Sequence, residues 1–193
     1  MRSKFSSLTM LRTWLTMGRM LKGQLCTVRH LLNTDLNTFI ALNNDLPSRG
    51  PWFSAHFKSP ETVRKEFLQN GFVTDDSELF VIEDLAHNIV GVITHFKTRT
   101  PTSREIGYRL FDPKLAGRGY TSEALRLLCA YLFRVYTWHR LEVLAAPDNI
   151  ASIRVAEKCG FRAEGTLRAA FFLNGQYQDV KMLSLLRPEW NGL

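Results

Sequence analysis

A chain of 193 residues with 45% hydrophobic and 22% charged side chains is long enough for one sizeable core, and it lacks the composition of a disordered polymer. The formal charge of +7 suggests nucleic acid, but six basic residues (Arg2, Lys4, Arg12, Arg19, Lys22, Arg29) precede the first carboxylate, Asp35. Setting them aside leaves 19 basic against 18 acidic residues, a nearly neutral body with no basic footprint for nucleic acid; no apolar run reaches eighteen residues, so no membrane-spanning helix is expected.

Residues 1–20 form a basic, acid-free leader. It loosely resembles an organellar transit peptide; an upstream start or a loose tail is the preferred reading, with one domain expected over 21–190. Cys26, Cys129 and Cys159 show no metal-ligand spacing, and an odd count argues against a disulfide framework, so they read as structural thiols of a reducing compartment, the cytoplasm. The five histidines form no metal spacing either.

In chain order, Gln24–His30 predicts a strand and Asp35–Asn43 a helix that groups Leu36, Phe39, Ile40 and Leu42 for burial. Leu46–Phe57 reads as a loop. Its Trp52, Phe53, His56 and Phe57 are read as a packing cluster, with the border of an acceptor pocket as the alternative. Ser59-Pro60-Glu61 opens a second helix that Gly71 closes. Strands Leu79–Leu85 and Ile89–Lys97 flank a short turn, and Glu105–Phe111 follows as a third. A long amphipathic helix covers Thr121–Tyr136, Leu141–Ala146 is a buried strand, and Asn149–Lys158 is a helix capped by Asn149. Thr166–Leu173 and Gln176–Leu186 are strands hinged on Asn174-Gly175. The order β-α-α-β-β-β-α-β-α-β-β predicts an α/β (α+β) domain: one mixed, mostly antiparallel sheet of about seven strands with helices on both faces.

The most informative stretch is Lys114-Leu115-Ala116-Gly117-Arg118-Gly119-Tyr120-Thr121-Ser122, lying between a strand and a long helix. Its glycines permit a tight turn and close ligand approach, and the helix start offers free N–H groups and a positive dipole end to a pyrophosphate. Arg118 and Lys114 could add charge, and Thr121 or Ser122 a hydroxyl. It is neither a Walker loop nor a dinucleotide fingerprint, and by itself it is equally compatible with a plain loop.

Around it stand Glu105-Ile106-Gly107-Tyr108-Arg109-Leu110, Asn149-Ile150-Ala151-Ser152 and Glu157-Lys158-Cys159-Gly160-Phe161. With these motifs the chain resembles the GNAT superfamily of N-acetyltransferases, in particular its RimJ/RimL-like branch, from about Leu21 to Trp190. The resemblance implies a sheet with a splayed strand pair, and acetyl-CoA as co-substrate without a metal. Lys114-x-x-Gly117-x-Gly119 matches the family's pyrophosphate motif, with Lys in place of the usual Gln or Arg. The expected acetyl-CoA-binding residues are Leu110, Asp112, Lys114, Gly117, Arg118, Gly119, Tyr120, Thr121, Ser122 and Asn149, with Leu110 and Asp112 as backbone partners of the pantetheine.

An amine acceptor is mostly ammonium at neutral pH, with pKa ~10.4 for a lysine-like amine and ~7.7–8 for an α-amine, so one group must take a proton. Glu105 is the candidate base, against a solvated strand-start residue or an ion pair. Asn149 could orient a water or the pantetheine arm, against capping alone, and Ser152 could protonate the leaving thiolate, against a second capping role. No tyrosine stands where many superfamily members carry their acid. The expected acceptor is a protein N-terminal amine or a small-molecule amine, with no nucleic acid or membrane partner, and a homodimer stays open. The rival reading is a non-catalytic acyl-CoA-binding or sensing module.

Overall fold

The computed structural model describes residues 20–192; the leader expected over 1–20 lies, but for Met20, outside the described residues. Eight strands form one sheet: β1 Met20–Lys22, β2 Cys26–His30, β3 Ser77–Asp84, β4 Ile89–Lys97, β5 Ser103–Leu110, β6 Arg140–Ala145, β7 Arg162–Leu173 and β8 Gln176–Leu186. Their spatial order is β1-β2-β3-β4-β5-β6-β8-β7, antiparallel everywhere except between β5 and β6. The helices are α1 Leu36–Asn44, α2 Leu46–Arg49, α3 Pro60–Asn70, α4 Tyr120–Val135 and α5 Ile150–Lys158.

The expected sheet gains one strand and the expected loop gains one helical turn. β1 is too short to carry a period; pairing with Lys22↔Thr27 and Met20↔Arg29 makes it a strand. α2 turns within the expected loop Leu46–Phe57, with Pro47 in its first turn. The Asn174-Gly175 hinge closes a hairpin in which Leu173 pairs with Gln176, and both turn residues have positive φ, 52° and 82°.

Alternation along the strands divides the hydrophobic core between the two faces of the sheet. On one face Ile82, Ile93, Ile106, Leu141, Val143 and Leu183 pack against Leu125, Leu128 and Leu132 of α4 and Ile153 and Ala156 of α5. On the other, Val81 and Phe111 pack with Leu36, Phe39 and Ile40 around α1 and Val63 of α3. All three cysteines are free and buried. Burial pushes the Cys26 thiol up to about 12 and the Cys159 thiol up to about 11, so neither is a ready nucleophile at neutral pH. No helix among the described residues is long and apolar enough to cross a membrane.

Candidate active site

β5 and β6 pair only over Ser103–Glu105 and Arg140–Glu142. Beyond that rung β5 stays paired with β4 as far as Leu110, while β6 stays paired with β8 as far as Ala145. The two strands therefore part into a V whose inner edges carry backbone donors and acceptors without a strand partner, which suits an extended amide-bearing arm.

Glu105 stands at the apex. It shares a face with Arg109 and Phe111, whereas Ile106 and Tyr108 face α4 and α5. The last rung sets Glu105 directly beside Glu142. Burial, and then the negative charge of Glu142, raise the Glu105 carboxyl from 4.5 to about 7. Arg140 holds Glu142 through Nε–H to Oε1 at 2.7 Å and also reaches Glu164, which accepts a bond from Ser184 Oγ at 2.5 Å. A carboxyl that titrates near neutrality at the apex of the V is suited to accept a proton.

On the other face, Asn149 caps α5: its Oδ1 accepts from Ser152 N at 3.1 Å. Ser152 Oγ is hydrogen-bonded to Tyr108 Oη at 3.1 Å, and Tyr108 Oη donates to Ser152 O at 3.0 Å. Tyr108, 44 residues away in sequence, thus ties the free edge of β5 to the first turn of α5. Burial raises its phenol well above the ordinary value. Glu105 and Ser152 consequently approach the V from opposite faces of the sheet.

At the open end, Gly117 and Gly119 take φ of 78° and 94°, where a side chain is strained; a Cβ on Gly117 would meet nothing within 4 Å, so the loop is open on that side. Gly119 is the N-cap of α4, and its O accepts from Glu123 N at 3.0 Å. The N–H groups of Tyr120, Thr121 and Ser122 therefore have no partner inside the helix, at the positive end of a sixteen-residue dipole. Lys114 and Arg118 are exposed beside this turn. The set fits a pyrophosphate. Leu110 lies at the end of β5, its N–H and C=O at the open end of the V. The Asp112 carboxylate, by contrast, is occupied: it accepts from Lys114 N at 2.8 Å and caps the turn Pro113–Leu115.

Glu123, one turn into α4, was not legible as a site-shaping residue. Its carboxylate accepts from the backbone N–H groups of Gln24, Leu25 and Cys26 at 2.8, 2.7 and 2.8 Å, and those bonds hold its pKa below the usual carboxylate range despite partial burial. This clamp presses the β1–β2 turn against the cradle, so that a Cβ on Gly119 would stand 2.9 Å from Leu25 Cδ1. The expected aromatic cluster is divided: Phe53 lies over the Arg109 guanidinium, 5.6 Å from ring centroid to Cζ, and Phe57 is exposed. Among the described residues no group of three or more acidic, His or Cys side chains gathers as a metal site.

A splayed parallel pair beside a glycine turn and a helix N-terminus defines an acyl-CoA acyltransferase site. The comparisons agree: the family model for the acetyltransferase (GNAT) domain matches residues 26–162, and the chain belongs to that family. It is an acetyl-CoA-dependent N-acetyltransferase domain by that membership. It is 31% identical to a probable N-acetyltransferase of Bacillus subtilis, over 88% of this chain and 98% of that one. Among solved structures it is similar to spermidine N-acetyltransferase from Vibrio cholerae in complex with CoA and spermine, with TM-score 0.76, 26% identity and coverage of 87% and 99% of the two chains. The ribosomal-protein-S5-alanine acetyltransferase of Vibrio fischeri shares the fold, with TM-score 0.78, 23% identity and coverage of 89% and 98%.

Proposed function

We propose that the chain moves the acetyl group of acetyl-CoA directly to a primary amine, with Glu105 as base and Ser152 as acid, and without an acyl-enzyme. The observation that supports this reading best is the half-buried Glu105 carboxyl at the apex of the splayed pair, with a pKa of about 7. Acetyl-CoA supplies the activated acyl carbonyl. The cradle of Gly117–Ser122, with Lys114 and Arg118 beside it, holds the pyrophosphate, and the free edges near Leu110 and Asp112 orient the pantetheine.

Glu105 Oε takes one proton from the ammonium, and the freed amine nitrogen then bonds the acyl carbon and sheds its second proton to solvent. The carbon–sulfur bond breaks, and Ser152 Oγ gives its proton to the departing sulfur. Ser152 Oγ then recovers a proton from solvent, and Asn149 fixes the helix turn that carries Ser152. The acceptor is a protein N-terminus or a small-molecule amine; relatives of both kinds share the fold. The reading includes a cytoplasmic location and leaves room for a homodimer.

The test is CoA thiol release from acetyl-CoA by purified protein, with free-N-terminus peptides in one pool and small amines in another. Transfer that falls 100-fold or more in Glu105→Gln, with acetyl-CoA affinity kept, supports the reading. Acetyl-CoA binding with no transfer to any amine refutes it in favour of a sensing module.

A further inference from the structure

Four residues past Glu105 on the same strand face stands Arg109, only 9% exposed. Its Nη2 donates to Asn43 Oδ1 at 3.0 Å, and its plane lies against Phe111 and Phe53, with ring centroids 4.8 and 5.6 Å from Cζ. Among the described residues no carboxylate forms an ion pair with it, and the remaining guanidinium N–H groups make no hydrogen bond. A second guanidinium, Arg49, lies nearby with its donors spent on the carbonyls of Asn43, Ser54 and His56. Burial and then the charge of Arg49 lower the Arg109 pKa to about 10, while the exposed Asp45 opposes them.

A buried arginine without a counter-ion is expensive unless a ligand supplies the anion. Guanidinium N–H groups left over are a fork shaped for a carboxylate. The buried Phe111 ring shields one side of the guanidinium from water, and the partly exposed Phe53 ring covers it from solvent less fully. The far end of the same face carries Glu105 beside Glu142, a place for an ammonium. The acceptor side of the site is therefore polar in one sense, acidic at the reacting end and basic about 13 Å of strand away.

Resting on the transfer reading above, we propose that the acceptor amine carries an anionic group several bonds from the nitrogen, bound by Arg109. This chemistry differs from that of a polyamine, whose second positive charge would lie against Arg109 and Arg49. An acidic side chain within the first few residues of a peptide meets the requirement, and so does a long ω-amino acid.

Initial-rate kinetics on the full chain, with acetyl-CoA saturating, test this on two arms. One arm holds peptides identical except for Glu, Gln or Lys as the third residue; the other compares 6-aminohexanoate, hexylamine and spermidine. We expect kcat/KM at least tenfold higher for the anionic member than for the cationic member of one arm or both, and the arm that responds identifies the source. In Arg109→Gln the Glu-to-Gln and carboxylate-to-methyl preferences should fall toward one, chiefly through KM. Equal or better transfer to spermidine and the Lys peptide overturns the proposal. So does a variant that loses acetyl-CoA affinity but keeps the acceptor preference. The wild-type preference needs no variant and decides the matter even if Arg109→Gln folds poorly. Silence with every acceptor refutes the transfer reading itself.

Discussion

Glu105→Gln separates a base from a structural carboxylate, because its two consequences run in opposite directions. The carboxyl is raised from 4.5 to about 7, so the folded state holds its proton more tightly than the unfolded chain. Its stabilising contribution is complete below pH 4.5 and is lost as pH rises through 7. At 1.36 kcal/mol per pH unit the full gap is about 3.4 kcal/mol; partial exposure to solvent reduces this to about 1–2 kcal/mol. Glutamine keeps the shape and never ionises, so at pH 8 the variant should melt about 2–8 °C higher than the parent. Turnover should fall ~10²–10⁴-fold for loss of a general base, with acetyl-CoA affinity unchanged. Calorimetry at pH 5 and 8 and initial rates from pH 5.5 to 9 provide both readouts. A variant that is more stable at pH 8 but equally active would refute the catalytic role and leave only the burial argument.

Glu142→Gln removes the second cause of that raised pKa, and the acid limb of kcat/KM should move down by about half to one pH unit, read from the pH profile. Gly119→Glu should weaken acetyl-CoA binding at least tenfold by calorimetric titration, because it adds bulk and negative charge at a residue with φ of 94°; Gly119→Ala should cost only about 1 kcal/mol of stability. Glu123→Ala leaves three turn N–H groups without their acceptor and should cost roughly 2–3 kcal/mol in urea unfolding. In the parent, the Glu123 contribution should fade as pH falls below 4.5, because its folded-state pKa is depressed. Glu78→Ala should cost about 3–5 kcal/mol while leaving acetyl-CoA affinity intact. Burial opposes the Glu78 charge, but His30 at 2.9 Å, His95 and Tyr136 at 2.5 Å outweigh it, beneath the C-terminal end of α4 and far from the cradle.

The sequence by itself determined the order of strands and helices apart from β1 and α2, the hairpin at Asn174-Gly175 and the glycine turn before α4. Each is written in residues adjacent along the chain: a period of two or 3.6, a residue pair that tolerates positive φ, or a glycine where a helix begins. The places of Glu105, Asn149 and Ser152 on those elements were legible for the same reason. Their neighbours were not. Glu142 meets Glu105 through a parallel rung across 37 residues of chain, Tyr108 meets Ser152 across 44, and Glu123 clamps the Gln24–Cys26 turn across nearly 100. β7 likewise begins at Arg162 rather than Thr166: its first residues show no buried alternation and become a strand by pairing with β8, while Glu164 reaches Arg140 and Ser184. Local patterning fixes which face a side chain takes, but sheet register and helix docking decide what it faces. Acidity, a spare guanidinium and a hydroxyl pair are properties of those encounters, so tertiary structure alone decided them.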